Sequence, residues 1–313
     1  ASNACLGSNG SLCSVFVMDE LVIKQQPALC FVVCSVADLA PYTPAQEVGP
    51  VLEGIVRKLA DINCPVVFIH MYRDDRELDA SSAVIADYEA VAEYYGVPSI
   101  NVGAHLSELF SKGEYTPAQL FKDGIHTNQC GAEVSAQIII DCLKEQLSRS
   151  LLSPELHQLF GANFGSKQYL HSRNFHHTSL VYCRPEMLDA PGLAREGHFR
   201  FFYPVLEVPV QHTISYNVAH GEIVGILAVV DKASGIVAVS TSAFSDSYQL
   251  WDDWCQTERI KAIIFDRYPT APTELRLALL ETSVEYRDVS WMSDSADLKK
   301  SLRIIGFLQR SDR

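Results

Sequence analysis

The chain lacks any apolar run approaching the roughly 20 residues that cross a bilayer as a helix. The run at residues 28–36 is too short for that and suits a buried strand. Basic charge is scarce: 25 Lys and Arg stand against 38 Asp and Glu, a net charge of −13. A surface of that sign repels phosphate backbones. The one basic cluster, Lys299, Lys300 and Arg303, lies beside acids, so the sequence predicts no nucleic-acid partner and no membrane partner. There is no Cys-x-x-Cys pair, and the 9 cysteines are an odd number and scattered. That pattern argues against a closed disulfide framework and predicts free thiols in a reducing, cytoplasmic setting. No basic region marks Ala1, Ser2, Asn3 and Ala4 as a signal peptide, and no Met precedes them. The glycine-bearing stretch at residues 161–165 is too loose to cradle a phosphate, which argues against nucleotide binding.

What is present is enough apolar material for a sizeable core: 48% of 313 residues. The first half alternates short apolar runs with helical spacing. It predicts strands at residues 3–6, 28–36, 65–71 and 96–102, and helices at 11–25, 43–63, 81–95 and 131–147. Thr43 reads as the N-cap of the second helix, with Pro44 at its first position. Such alternation predicts a three-layer α/β domain with a mostly parallel sheet over about residues 1–150. Short β-rich runs between turn residues fill the second half, predicting a β-sandwich-like domain over 151–313 with a hairpin turn at 231–235.

Asp123-Gly124-Ile125-His126 is the sharpest chemical signal. A carboxylate three residues before a histidine can reach the imidazole Nδ1, fix the tautomer and leave Nε2 free to take a proton. The pair precedes the last helix of the parallel-sheet domain, at the sheet edge where open α/β folds place their sites.

The block Leu120-Phe121-Lys122-Asp123-Gly124-Ile125-His126-Thr127-Asn128, leading into Gly131-Ala132, resembles the last conserved block of the SGNH hydrolases, the GDSL-like esterases. The resemblance covers about residues 3–147. It implies a flavodoxin-like fold, acyl transfer to water or a sugar hydroxyl, and Asp123 and His126 as acid and base of a Ser-His-Asp triad. It further implies an oxyanion-hole backbone N–H near Gly10, with Gly7 the weaker match. The substrate would be a small-molecule or carbohydrate ester, and neither metal nor organic cofactor is needed for such chemistry.

Two departures stand beside it. No Gly-Asp-Ser block is present, and Ser35-Val36-Ala37-Asp38 occupies the place where the family carries Gly-x-Asn-Asp, so Ala37 replaces a side-chain oxyanion donor. Losing one such donor costs on the order of 10²–10³ in turnover. Three readings follow. The nucleophile precedes Ala1, with a first strand whose lack would leave a raw sheet edge. Alternatively the chain is a non-catalytic binding protein that keeps the cleft. Or Ser8 attacks, against the spacing the family needs.

Other residues admit plainer roles. Asp38 and His70 fall at the same sheet edge and would line the cleft, although His70 also reads as a satisfied strand-end histidine. Arg73-Asp74-Asp75-Arg76 reads as a solvated loop or, as the family's loop at this edge, as a substrate contact. His171, His176 and His177, with Cys183, fit no common closed zinc site and read as a polar linker. Tyr248, Trp251 and Trp254 flank Asp252-Asp253, a composition found on sugar-binding surfaces and also in plain packing. Oligomerisation is left open.

Overall fold

The computed structural model describes residues 2–6, 9–40, 43–73, 82–151, 167–189, 195–199, 203–210, 212–231, 234–251, 258–280 and 301–311. The chain forms two compact units, Ala1–His176 and His177–Arg313.

In the N-terminal unit three short strands, β1 (Cys30–Val32), β2 (Val66–His70) and β3 (Ser99–Asn101), form a parallel sheet in the order β1-β2-β3. Every residue of β2 is buried, as a central parallel strand covered on both faces requires. Val67 and Ile69 turn to one face. There they meet α5 (Val102–Ser111), α6 (Pro117–Leu120) and α7 (Gln129–Leu151) through Leu106, Leu120, Val134 and Ile138. On the other face Phe68 and His70 meet the edge of Tyr88 on α4 (Ala83–Tyr95). Helix α3 (Val48–Asp61) packs on α4, and α1 (Ser11–Leu21) packs on α3, completing three layers. No helix among the described residues is long and apolar enough to cross a membrane.

Several local expectations need correction. Residues 3–6 form no strand, because no strand lies beside them among the described residues to complete a ladder. The apolar run at 28–36 breaks after Val32 into a short helix, α2 (Ser35–Leu39). Thr43 does not cap the helix that follows it: its hydroxyl donates to Asp38 Oδ1 instead, and α3 begins at Val48 after a 3-10 turn. On its outer edge β1 has no strand partner among the described residues. Phe31 stands in register with Val67, yet Leu29, Phe31 and Val33 are 43%, 45% and 40% exposed, so the α5–α7 layer stops short of this strand.

Beyond the linker, residues 167–176 return across α3. Phe175 is fully buried, edge-on to Phe16 of α1 at 6.0 Å. The strap crosses where Gly54 has no side chain; a Cβ there would sit 2.6 Å from the Phe175 carbonyl carbon. A mid-helix glycine costs about 0.5–1 kcal/mol relative to alanine, and here it lets a second backbone lie against the helix.

The C-terminal unit contains two antiparallel sheets. One runs β11 (Arg259–Ile264), β8 (Glu222–Val230), β13 (Ser301–Arg310), β6 (Tyr203–Pro209) and β5 (Arg195–Phe199), with β4 (Thr178–Tyr182) also pairing β13. The second runs β10 (Ser245–Gln249), β9 (Ile236–Ser240), β12 (Thr273–Leu279) and β7 (Thr213–Val218). Their inner residues, among them Val208, Ile226, Ile304 and Phe307 from the first and Ile214, Val237, Val239 and Leu277 from the second, share one core. That is a β-sandwich. The strands on either side of the expected hairpin turn do not pair with each other, and they lie in different sheets: β8 pairs with β11 and β13, whereas β9 pairs with β10 and β12. Period-2 patterning on both flanks is shared by hairpins and sheet-to-sheet crossings, so the turn residues alone could not separate them.

Candidate functional site

The carboxyl ends of β1, β2 and β3 face one edge of the sheet, and three loops converge there. The loop after β1 is joined to the loop after β2 by Arg73 Nη1, which donates to the Val36 carbonyl at 3.0 Å. Tyr72, in the loop after β2, packs its ring 5.0 Å from that of Phe121. Phe121 opens the turn that carries Asp123 and His126, and it pairs with Thr127 across that turn. Asn128 closes the turn by donating to the Gln119 carbonyl at 2.9 Å and accepting from Gly131 N–H at the start of α7.

Within the turn Asp123 does two things. Its Oδ1 accepts the backbone N–H groups of Ile125 at 2.8 Å and His126 at 2.7 Å. Its Oδ2 lies 2.9 Å from His126 Nδ1. The backbone N–H of His126, then that of Ile125, then the imidazole hold the Asp123 carboxyl down at about 2, so it stays ionised at neutral pH. With Nδ1 committed to a carboxylate, Nε2 is the nitrogen left to exchange a proton. The His126 side chain is 65% exposed, and Nε2 meets no hydrogen-bond partner among the described residues.

Gly10 lies at the same edge, tied to the loop after β1. It is the buried N-cap of α1, in extended conformation, and a Cβ there would overlap Asp38 Oδ1 and Thr43 Oγ1. Its N–H has no acceptor among the described residues. Ala37 is half-buried and offers no side-chain donor. Asp38 is buried, and its carboxyl accepts from Ser11 N–H, Thr43 Oγ1 and Tyr88 OH, each at 2.7 Å. It therefore braces the edge from beneath, where the sequence suggested a cleft wall. His70 is fully buried at the end of β2, with Nε2 2.9 Å from Ser99 Oγ and 3.2 Å from Glu89 Oε1. Both neighbours share that one nitrogen, so the trio lacks the two-sided arrangement of a catalytic triad. Ser8 and Gly7 lie outside the described residues, as do Asp74, Asp75 and Arg76.

Sequence reasoning missed Tyr88 and Tyr72 as parts of this edge, while it had set the loop of Arg73 there. Tyr88 carried a signal only as an apolar position on its helix, and nothing local marks a phenol that reaches a carboxyl 50 residues away.

The histidines of the strap do not converge. His171 Nδ1 lies 3.0 Å from Glu53 Oε2, while His176 Nε2 lies 2.7 Å from Asp61 Oδ2. Among the described residues no group of three or more His, Cys, Asp or Glu is placed to hold a metal ion. In the C-terminal unit Tyr248 and Trp251 pack against the sandwich core, and Trp254 with Asp252 and Asp253 lies outside the described residues.

Two solved structures are similar in fold along nearly the full length of this chain. One is a two-domain esterase active on acetylated mannans, co-crystallized with mannopentaose. It aligns with a TM-score of 0.73 at 13% identity, over 99% of this chain and 79% of that one. The second, a two-domain esterase active on acetylated mannans, aligns with a TM-score of 0.69 at 13% identity over 98% and 79% of the two chains. At that identity the likeness is one of fold. No protein-family profile and no curated protein matches the chain.

Proposed function

We propose that the N-terminal unit is a serine-type ester hydrolase of the SGNH kind, acting on an acylated carbohydrate. The observation that carries this reading is the Asp123–His126 pair at the carboxyl edge of a parallel sheet, with Nδ1 bound and Nε2 open. A fold shared with esterases active on acetylated mannans supports the substrate class.

In this reading a seryl Oγ within about 3 Å of His126 Nε2 attacks the ester carbonyl carbon, and its proton passes to Nε2. The carbonyl π electrons move onto oxygen, which the Gly10 N–H stabilises. Collapse of the tetrahedral intermediate breaks the bond to the sugar oxygen, which leaves with the proton from His126. Water then attacks the acyl-serine by the same path, releasing the carboxylic acid and restoring the hydroxyl. Asp123 orients the ring and stabilises the imidazolium without taking the proton.

The test is turnover of p-nitrophenyl acetate and of acetylated mannan oligosaccharides, with fluorophosphonate labelling to locate the reactive serine by mass spectrometry. Expected are acetate release, its loss in His126→Ala, and a label on one serine, Ser8 or another. Equal release by the wild type and His126→Ala would overturn the reading. No release and no label would favour the binding protein that the missing Gly-Asp-Ser block and Ala37 also suggest. Cytoplasmic residence belongs to this proposal and is read by fractionation.

A further inference from the structure

The first turn of any helix leaves backbone N–H groups without intrahelical acceptors. At α1 the N-cap is Gly10, which has no side chain to supply one, and no acidic residue lies in the first turn. The acceptors come from far along the chain. Asp38 Oδ1, 27 residues on, takes the Ser11 N–H at 2.7 Å, and Thr43 Oγ1 takes the Leu12 N–H at 3.4 Å. Thr43 donates its own hydrogen to the same Oδ1, and Tyr88 OH holds Oδ2 from α4 at 2.7 Å. The N–H groups of Ser11 and Leu12 are thus consumed, while that of Gly10 has no acceptor among the described residues.

We propose that Asp38 is a positioning residue: supported by Thr43 and Tyr88, it fixes the Gly10–Ser11 turn so that the Gly10 N–H is held ready for the developing oxyanion. This rests on the esterase reading above and deepens it. Three features give the turn no slack. A Cβ at Gly10 would overlap two of the bracing oxygens, so backbone lies directly on the carboxyl. Burial pushes the Asp38 carboxyl above its ordinary value, and the hydrogen bonds from Tyr88, Thr43 and Ser11 offset only part of that rise. Each bracing atom belongs to a different segment: α2, the residues before α3, and α4. With Ala37 where a side-chain donor would stand, the backbone donor carries more of the load, and its placement counts for more.

The test pairs two readouts on Tyr88→Phe, Thr43→Val and Thr43→Ser. The first is site-resolved amide hydrogen exchange. The Ser11 and Leu12 amides should exchange on the order of 10-fold faster in Tyr88→Phe and Thr43→Val, with amides of β2 and α3 unchanged, while Thr43→Ser stays near wild type. The second is steady-state hydrolysis of p-nitrophenyl acetate: kcat falls on the order of 10-fold in the same two variants with KM nearly constant, the signature of a transition-state contact. Unchanged exchange at Ser11 overturns the brace. Faster exchange with unchanged kcat, or a fall confined to KM, overturns its tie to the reaction. A wild type without turnover overturns the esterase reading instead, and the exchange readout then decides the brace by itself.

Discussion

Two of the histidine–carboxylate pairs in the N-terminal unit are of nearly equal length and opposite use. Asp123 and His126 sit three residues apart in one exposed turn, 2.9 Å between oxygen and nitrogen. Glu53 and His171 are 118 residues apart, 3.0 Å between atoms, with the carboxylate fully buried. In the first pair the histidine side chain is 65% exposed and turns its second ring nitrogen to solvent, whereas the His171 side chain is 28% exposed. In the second the carboxylate is saturated: Tyr95 OH, the N–H groups of Leu170 and His171, and the His171 ring all donate to it, and Arg57 pairs with it at 3.5 Å. A pair whose histidine is open to solvent can act on a third molecule, whereas a buried, saturated carboxylate locks one segment to another. Distance between partners tells nothing of this; exposure of the ring and saturation of the carboxylate do.

The largest expected difference is in turnover. Under the proposed function, His126→Ala or Asp123→Asn lowers kcat on p-nitrophenyl acetate by about 10³–10⁴. Both positions are exposed, so the melting temperature should stay within about 1 °C. Glu53→Ala inverts the pattern. It strips the ion partner from buried Arg57 and the acceptor from four donors, a class of change that costs about 3–5 kcal/mol. For a unit of this size that lowers the melting temperature by on the order of 10 °C. Calorimetry beside kinetics on the three variants breaks the comparison if Glu53→Ala melts like the wild type.

Acid sharpens it further. Burial alone would raise the Glu53 carboxyl, but hydrogen bonds from His171, Tyr95 and the two backbone N–H groups outweigh it and hold the group at about 2, against an ordinary 4.5. A carboxyl whose folded value is depressed contributes stability above its unfolded value and loses it as pH falls through the folded one. The wild type should therefore lose on the order of 3 kcal/mol between about pH 4.5 and pH 2. Glu53→Gln should flatten that limb in urea titrations, while Asp123→Asn leaves it nearly in place because its turn is exposed to solvent.

The same contrast explains what could be read from the residues. Asp123 and His126 were legible because their geometry closes within three residues, and the strand–helix alternation around β2, α4 and α7 because hydrophobic period is local. The Asp38 brace reaches 27 residues back to Ser11 and 50 on to Tyr88, the Glu53 lock reaches 118 on to His171, and no local rule connects these members. Thr43 and the strap histidines show the cost: a threonine before a proline looks like a cap, and histidines in a linker look like a polar loop. In both cases a tertiary partner claimed a side chain whose local role was the expected one. The interrupted run at 28–36 failed for another reason. Its apolar residues continue past Val32, but the backbone leaves the sheet at the edge where the loops converge.

Arg57 offers the smallest and most selective test of the lock. Its Nη2 donates to the carbonyls of Lys167 at 3.0 Å and Gln168 at 2.7 Å, its Nε donates to Tyr95 OH, and its guanidinium lies 3.7 Å over the Tyr169 ring. A lysine keeps the charge facing Glu53 but has neither the planar fork nor the stacking face. Arg57→Lys should therefore cost about 1–2 kcal/mol, the worth of a partly buried cation–π contact and the hydrogen bonds a point charge cannot share out. The measurement is the urea midpoint, expected to fall with an unchanged slope. Turnover should not move, because the strap is anchored on α3 while the Asp123–His126 turn is fixed by Tyr72 and α7. A fall in kcat without a fall in the midpoint would mean that the two histidine–carboxylate pairs are coupled through the sheet between them.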